Sequence, residues 1–163
     1  MVATHLVPMG ASSYEAYVDA AVARYAEDNV ASGRWPRAVA SERSRAAYAA
    51  ILPKGLQTPD THLLEIKDEE SHQTIGSLLF AVVGRDGERS AFVYDLHVLP
   101  QFRRRGYATS AFEALETIVR DLGLSKIGLH VFAHNAEAQA LYAKLGYAAT
   151  GINMRKCIGT AKS

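Results

Sequence analysis

The chain has 163 residues, of which 48% are hydrophobic and 21% charged, and its 18 Lys and Arg residues nearly balance its 17 Asp and Glu residues. This length and composition indicate one globular domain over residues 1–163, and the near-neutral charge argues against a nucleic-acid partner. The single cysteine, Cys157, excludes an internal disulfide framework and agrees with a cytoplasmic location. The longest apolar run, Leu78 to Val83, is far too short to cross a bilayer, so no membrane partner is expected.

The first third of the chain predicts one strand followed by two helices. The strand is expected at residues 3–7 and the first helix at 12–31. Gly33-Arg-Trp-Pro36 would end that helix, and a second helix is expected at 39–51, followed by a turn-rich loop. The buried face of the first helix would carry Tyr14, Tyr17, Ala21 and Tyr25.

Three strands are predicted in the middle of the chain, at residues 62–66, 74–83 and 90–98. The link between the last two contains Asp86-Gly87, which is a strong signal for a tight hairpin. A long helix follows, because apolar residues recur at helical spacing beyond Ala108. They are Ala111, Phe112, Leu115, Ile118, Val119 and Leu122.

The last third predicts a strand at residues 126–132, a short helix after Asn135 and a final strand at 147–155. Asn135 is a good N-cap, and Gly146 is a good residue to end the short helix. Antiparallel strands followed by a helical crossover indicate a mixed sheet with helices.

A basic turn, Arg103–Ala108, joins the strand at 90–98 to the long helix. A helix N-terminus offers unpaired N–H groups and a partial positive charge, and here Gly106 and Ala108 leave that end open. Such a turn suits a pyrophosphate. It matches neither G-x-x-x-x-G-K-[ST] nor G-x-G-x-x-G, so the common nucleotide-binding loops are not expected. The alternative is a solvated basic turn that only caps a helix.

A second segment, Asn135–Tyr147, bears on the choice between these two interpretations of the basic turn. Tyr142 lies seven residues after Asn135 and therefore on the same face of the helix. Taken alone, Tyr142 would more often be a half-buried packing residue.

Together the two segments resemble the GNAT superfamily, the GCN5-related N-acetyltransferases. The family pattern R/Q-x-x-G-x-G/A is matched by Arg103-Arg-Arg-Gly106-Tyr-Ala108, although Arg104 and Ala108 replace frequent glycines. The second pattern, an Asn followed by A-x-x-x-Y-x-K-x-G-[FY], is matched at Asn135, Ala138, Tyr142, Lys144, Gly146 and Tyr147. The whole chain resembles an uncharacterised bacterial subgroup of the family. The resemblance implies an α/β (α+β) fold with one mixed, mostly antiparallel sheet of about six to seven strands and about four helices.

The resemblance also implies acetyl-CoA as co-substrate. In the family, the strand before the basic turn ends in a bulge and splays from its neighbour, and the pantetheine arm binds in the gap. A backbone N–H there would polarise the thioester carbonyl, and the pyrophosphate would bind the amides of the turn. The implied coenzyme-binding residues are Leu96, His97, Val98, Arg103, Arg104, Arg105, Gly106, Tyr107, Ala108, Thr109, Asn135 and Tyr142.

Three catalytic candidates follow from the resemblance and from the chemistry of amines. Tyr142 would protonate the departing CoA thiolate. An alkyl amine near pKa 10.4 must lose a proton before it attacks, which costs about 4–5 kcal/mol at pH 7. Asp95 is the first candidate for the base, although it could simply order the bulge. Glu27, beside Asp28, could attract a cationic amine, although such a pair is usually a solvated helix face.

The sequence therefore predicts an N-acetyltransferase that moves acetyl from acetyl-CoA to a primary amine by direct attack in a ternary complex. A non-catalytic acyl-CoA-binding sensor is the alternative. The acceptor, a small amine or a peptide, stays open, and a homodimer is common in the superfamily. No metal is expected, because His130 and His134 bracket a strand end without a third ligand in step.

Overall fold

A mixed five-stranded sheet lies at the centre of the structure, a computed structural model that describes residues 1–160. Its strands are β1 (Thr4–Pro8), β2 (Thr61–Asp68), β3 (Thr74–Arg85), β4 (Glu88–Val98) and β5 (Ile127–Leu129), and they follow one another in space as in sequence. The pairs from β1 to β4 are antiparallel, and β5 runs parallel to β4. The predicted fold class is confirmed, with five strands in residues 1–160 instead of six or seven.

Four α-helices surround this sheet, as expected. They are α1 (Ala11–Ala31), α2 (Arg37–Ile51), α3 (Tyr107–Asp121) and α4 (Ala136–Lys144). Short 3₁₀ turns at Gly55–Gln57 and Pro100–Phe102 lie in the connecting loops. Within residues 1–160, none of the helices has the length and apolar character needed to span a membrane.

The two faces of the sheet form two separate cores. Successive residues of β3 point to opposite faces, as in any strand. Leu78 and Phe80 contact the core that contains Phe112 of α3. Leu79 lies between them and contacts the other core, which contains Tyr17 of α1 and Tyr48 of α2. The sheet is therefore covered by helices on both faces.

The β3–β4 hairpin turns at Asp86 and Gly87, as predicted. Both residues have positive φ, 54° and 78°, which is the requirement of a two-residue type I′ turn. The hairpin sets the register of β4 against β3, and β4 carries several of the candidate site residues.

Two strand predictions in the last third of the chain were wrong in part or in full. The strand expected at residues 126–132 is paired only at Ile127–Leu129, and the strand expected at 147–155 is absent. Residues 148–160 are all exposed and form neither helix nor strand. An alternating pattern can favour an extended chain, but a strand also needs a neighbour, and none of the described strands pairs with this segment.

Candidate active site

Strands β4 and β5 diverge after a short parallel ladder. The ladder joins Ala91, Phe92 and Val93 to Ile127, Gly128 and Leu129, and no pairing between the strands continues beyond it in the described residues. On that side of β4, the backbone of Leu96, His97 and Val98 therefore has no strand partner. We call this opening the β4–β5 cleft. It lies where the resemblance to the family implies that the strand splays from its neighbour.

A β-bulge in β4 lies at the start of this cleft. Leu79 pairs with Asp95 and Phe80 pairs with Val93, so Tyr94 is an extra residue in the ladder. A bulge re-aims the side chains around it, and Asp95 reaches α1 on the face that carries Leu79. Further along, the backbone of β3 approaches that of β4 so closely that a Cβ on Gly76 would lie 2.1 Å from the carbonyl oxygen of His97. Only glycine fits at this position of β3.

The basic turn after β4 is held by its own first arginine. The Nε of Arg103 donates a hydrogen bond of 3.0 Å to the backbone oxygen of Val98. Arg104 and Gly106 have φ values of +62° and +89°, in the left-handed region. This geometry explains why the family pattern often has glycine at the position of Arg104, because a left-handed backbone costs other residues about 1–2 kcal/mol.

The N-terminus of α3 is open at the end of this turn. Within the described residues, no side chain caps the helix, so its first backbone N–H groups, including those of Ala108 and Thr109, lack the usual side-chain partner. The ring of Tyr107 is buried, and its hydroxyl donates a 2.9 Å hydrogen bond to Asp68, which raises the pKa of Tyr107. Arg105 lies over the ring of Phe102, 5.8 Å from its centre. Because the side chain of Tyr107 is occupied in this way, Tyr107 can contact a ligand at this end only through its backbone.

Helix α4 starts and ends as its sequence predicts. The Oδ1 of Asn135 accepts a 3.2 Å hydrogen bond from the backbone N–H of Ala138, which confirms Asn135 as the N-cap. Gly146 has φ +94° and lies just beyond the helix end. A capping Asn135 keeps its side-chain NH₂ group free to donate elsewhere.

Tyr142 is half-buried on α4 with its ring against two aromatic rings. Its ring centre lies 5.6 Å from that of Phe112 and 5.8 Å from that of Tyr147, both edge-on. Burial raises the pKa of Tyr142, and the charge of Asp95 adds to this effect. The hydroxyl therefore keeps its proton at neutral pH, and it lies within the electrostatic reach of Asp95.

Asp95 is held by two residues of α1. Its side chain is 16% exposed, and its Oδ2 accepts hydrogen bonds from the hydroxyl of Tyr17 at 2.8 Å and from Arg24 at 3.1 Å. Burial raises the pKa of Asp95, while Arg24 and Tyr17 oppose the shift. Both bonds go to one oxygen, and within residues 1–160 no hydrogen bond is made to Oδ1. That second oxygen can accept a proton from another group.

The contacts of Tyr17 and Arg24 with Asp95 were missed in the sequence. The sequence places Tyr17 on the buried face of α1 but does not by itself pair Tyr17 or Arg24 with Asp95. The sequence does contain an indication that Arg24 is near Tyr17, because Arg24 lies seven residues after Tyr17 and therefore on the same helix face. A charged side chain on a face of Tyr and Ala residues needs a partner when it is covered.

Glu27 lies in a shallow, open depression on the surface of α1, which we call the α1 cleft. The cleft has a volume of about 390 Å³ and is lined by Ala23, Arg24, Glu27 and Asp28. Glu27 is 66% exposed and pairs with Arg37 of α2 at 2.7 Å, and this hydrogen bond lowers the pKa of Glu27. A carboxylate with a lowered pKa is a weak base, so Glu27 is less suited than Asp95 to remove a proton.

The two histidines near these clefts differ in their surroundings. Burial, followed by the charges of Arg24 and Arg103, lowers the pKa of His97 to about 4, so His97 is neutral at pH 7. His134, beyond β5, lies 3.2 Å from a carboxylate oxygen of Asp28 and so links that segment to α1. No group of three or more His, Cys, Asp or Glu side chains within residues 1–160 is arranged to hold a metal ion.

Comparison with known proteins assigns the family. The acetyltransferase (GNAT) family matches residues 22–147. Two proteins of Bacillus subtilis (strain 168), the uncharacterized N-acetyltransferases YycN and YdgE, are each 34% identical over 151 residues, which is 93% of this chain and 96% of theirs. A crystal structure of YycN, described as an acetyltransferase, superposes with a TM-score of 0.90 at 33% identity, covering 96% of this chain and 99% of that one.

The chain therefore belongs to the GNAT family of acetyltransferases. The family match runs from the second half of α1 through the basic turn and α4, so both sequence motifs lie within it. The resemblance to an uncharacterised bacterial subgroup is confirmed as well, since YycN and YdgE cover nearly the whole chain.

Proposed function

We propose that the protein transfers acetyl from acetyl-CoA to a primary amine by direct attack in a ternary complex. One observation carries the proposal: the β4–β5 cleft ends at a basic turn and at the uncapped N-terminus of α3. A cleft with unpaired strand backbone suits the amide-rich pantetheine arm, and the open helix end suits a pyrophosphate.

The residues on this coenzyme side (94–109 and 135–142) fit that ligand. Leu96, His97 and Val98 offer backbone groups along the cleft, and one fixed N–H aimed at the thioester oxygen can be worth roughly 3 kcal/mol. The amides from Arg104 to Thr109 would hold the pyrophosphate, with Arg105 adding positive charge. Arg103 is bonded to Val98 and so acts mainly by shaping the turn. Asn135 would donate its free NH₂ to the pantetheine.

Asp95 is the proposed base. Its free Oδ1 would accept the proton of the attacking amine, while Tyr17 and Arg24 hold Oδ2 and fix the carboxylate in place. Burial raises the pKa of Asp95 towards the pH at which a base is most effective. Removing the proton from an alkyl amine costs about 4–5 kcal/mol at pH 7, so a positioned base is needed.

Tyr142 is the proposed acid. Its raised pKa keeps the hydroxyl protonated, and the proton would pass to the departing thiolate as the new amide forms. The aromatic contacts with Phe112 and Tyr147 hold the ring in one orientation. The acid and the base lie on different elements, α4 and β4, and the bound acyl group would lie between them.

The acceptor side (α1 residues 17–28 with Asp95) favours a small amine or a peptide amine that carries positive charge. The α1 cleft presents Glu27 and Asp28; Arg24 in the same cleft is paired with Asp95 and Glu27 is paired with Arg37, which leaves Asp28 as the uncompensated negative charge of these four groups. Negative charge at the mouth of a cleft raises the local concentration of a cation. Asp28 is then the attracting group, and Glu27, held by Arg37, is not a base.

Calorimetric titration with acetyl-CoA, followed by a thiol-release screen of several hundred amines, tests the proposal. Binding together with thiol release by at least one amine supports it. A folded protein that binds no acetyl-CoA contradicts it. Binding with no release from any amine favours the acyl-CoA sensor. The ion pair between Arg24 and Asp95 is the observation that keeps this second function open, because a paired carboxylate can be purely structural.

A further inference from the structure

The basic turn holds a backbone conformation that its own residues do not favour. Arg104 has φ +62°, which is uncommon for a residue other than glycine, and Gly106 follows at +89°. Such a conformation persists only where the surrounding contacts fix it. At the strand end of the turn, the 3.0 Å bond from Arg103 to the carbonyl oxygen of Val98 is one such contact. The other end, where α3 begins, is fixed from outside the motif.

Asp68, the last residue of β2, supplies the contact at the helix end. Its Oδ1 accepts the 2.9 Å hydrogen bond from the hydroxyl of Tyr107, which lies 39 residues further along the chain. Its Oδ2 accepts a 2.8 Å bond from the backbone N–H of Ser71, in the turn between β2 and β3. Hydrogen bonding by Ser71, followed by that of Tyr107, lowers the pKa of Asp68, so the carboxylate is charged at neutral pH. One oxygen therefore orders the turn after β2, and the other joins that turn to α3 by a charge-assisted bond.

The position of Tyr107 determines the position of the groups that would meet the coenzyme. Tyr107 is the first residue of α3, so its backbone N–H is one of the open amides at this helix end. Its buried ring also packs edge-on against Phe102, with the ring centres 6.0 Å apart. The guanidinium of Arg105 in turn lies 5.8 Å from the centre of the Phe102 ring. A shift of Tyr107 would therefore move both the open amides and the charge of Arg105.

We propose that Asp68 is a positioning residue for the coenzyme, which holds the basic turn and the first amides of α3, through Tyr107, in the geometry that a pyrophosphate requires. The inference rests on the proposed acetyl-CoA site. A carboxylate would repel a pyrophosphate in direct contact, so Asp68 acts through Tyr107 and not on the ligand. A turn that is fixed before the ligand arrives loses less conformational freedom on binding, and this raises affinity.

A double-mutant cycle measured with acetyl-CoA tests this role. Tyr107→Phe removes the hydroxyl and keeps the ring, and Asp68→Ala removes the acceptor. Each change should weaken acetyl-CoA binding by about 5- to 20-fold in calorimetry, and the double variant should bind about as well as the weaker single variant, because both changes break the same bond. In steady-state kinetics the loss should appear in the KM for acetyl-CoA and not in kcat. An unchanged affinity in Tyr107→Phe, or losses that multiply in the double variant, would overturn the proposal.

Ser110→Ala is the matched control on the same helix. The Oγ of Ser110 accepts a 2.9 Å hydrogen bond from the backbone N–H of Thr4 in β1, so Ser110 also ties α3 to the sheet. Its own N–H is bonded to the carbonyl oxygen of Gly106 and is not among the open amides. Ser110→Ala should lower the free energy of unfolding and leave acetyl-CoA affinity unchanged. An affinity loss equal to that of Tyr107→Phe would show that any loosening of α3 has this effect, and would also overturn the proposal.

Asp68→Asn separates the hydrogen bond from the charge. An asparagine amide can still pair with the hydroxyl of Tyr107, so Asp68→Asn should keep most of the affinity that Asp68→Ala loses. An equal loss in both variants would assign the effect to charge and contradict a role through Tyr107. A parent chain that binds no acetyl-CoA would contradict the proposed function itself, whereas a parent and a Tyr107→Phe variant that bind equally well would contradict only the role of Asp68.

Discussion

The coenzyme side and the acceptor side are built in different ways. The proposed coenzyme side consists mostly of one stretch, from the bulge at Tyr94 to the first turn of α3, with residues 135–142 beside it, and it would act mainly through backbone groups. The acceptor side joins Asp95 to Tyr17 and Arg24, which are 78 and 71 residues away in sequence. It works through side chains that only tertiary packing brings together.

This difference teaches how each side can vary. Backbone groups are the same whatever the side chain, so the turn accepts Arg104 and Ala108 where glycine is frequent in the family. A buried carboxylate held by two partners accepts far less, because loss of any partner leaves an unpaired polar group. We therefore expect substitutions of single side chains to affect the acceptor side most.

Replacing the proposed base should have the largest effect. Asp95→Asn keeps the size of the side chain and removes its ability to take a proton, so kcat should fall by about 10²- to 10⁴-fold. Acetyl-CoA affinity, measured by calorimetry, should change little. Glu27→Gln is the matched control in the α1 cleft and should keep kcat within a few-fold. Equal losses in the two variants would remove the distinction between Asp95 and Glu27.

Removing the proposed acid should have the next largest effect. Tyr142→Phe keeps the ring contacts with Phe112 and Tyr147 and removes only the hydroxyl. A thiolate is a moderately good leaving group, so we expect kcat to fall by roughly 10- to 100-fold, below the usual upper range for an acid. Steady-state kinetics and calorimetry check this. A matching loss of acetyl-CoA affinity would instead indicate that Tyr142 only binds the coenzyme.

A pair of glycine variants separates the effect of the turn's backbone on acetyl-CoA binding from its effect on stability. Gly106 and Gly123 flank α3 with φ values of +89° and +78°, so alanine at either position should cost about 1–2 kcal/mol of unfolding free energy. Only Gly106→Ala should also weaken acetyl-CoA binding, because only Gly106 lies at the open helix end. Denaturant unfolding and calorimetry measure the two effects. Equal affinities in the two variants would place the pyrophosphate elsewhere.

A pH effect on stability should be the smallest. The pKa of His97 is about 4 in the folded chain and about 6.5 in the unfolded chain, so between these values only the unfolded state binds the proton. Stability should be complete above pH 6.5 and should fall as the pH drops towards 4. His97→Asn should reduce this fall in Tm by a few degrees, since partial exposure screens the effect. A fall in Tm that is the same in His97→Asn as in the parent protein would contradict the assignment.

The elements that could be predicted from the sequence were those set by local contacts. The Asp86–Gly87 turn, the N-cap at Asn135 and the stop at Gly146 each depend on the conformations that one or two residues allow. The periodic apolar residues from Ala111 to Leu122 predicted a long helix where α3 lies. The basic turn and the α4 segment could also be predicted from the sequence, because their backbone geometry depends on nearby residues.

The amino-acid sequence by itself determined the family, the helices and the basic turn at Arg103–Ala108, because these depend on residues close together in the chain. Only the tertiary structure decided which α1 side chains hold Asp95, since that depends on how α1 packs across the sheet. It also decided that residues 148–160 pair with none of the strands found within residues 1–160. An alternating pattern of apolar and polar residues shows that a segment is able to form a strand. Strand pairing also requires the free edge of another strand nearby, and that depends on the tertiary structure.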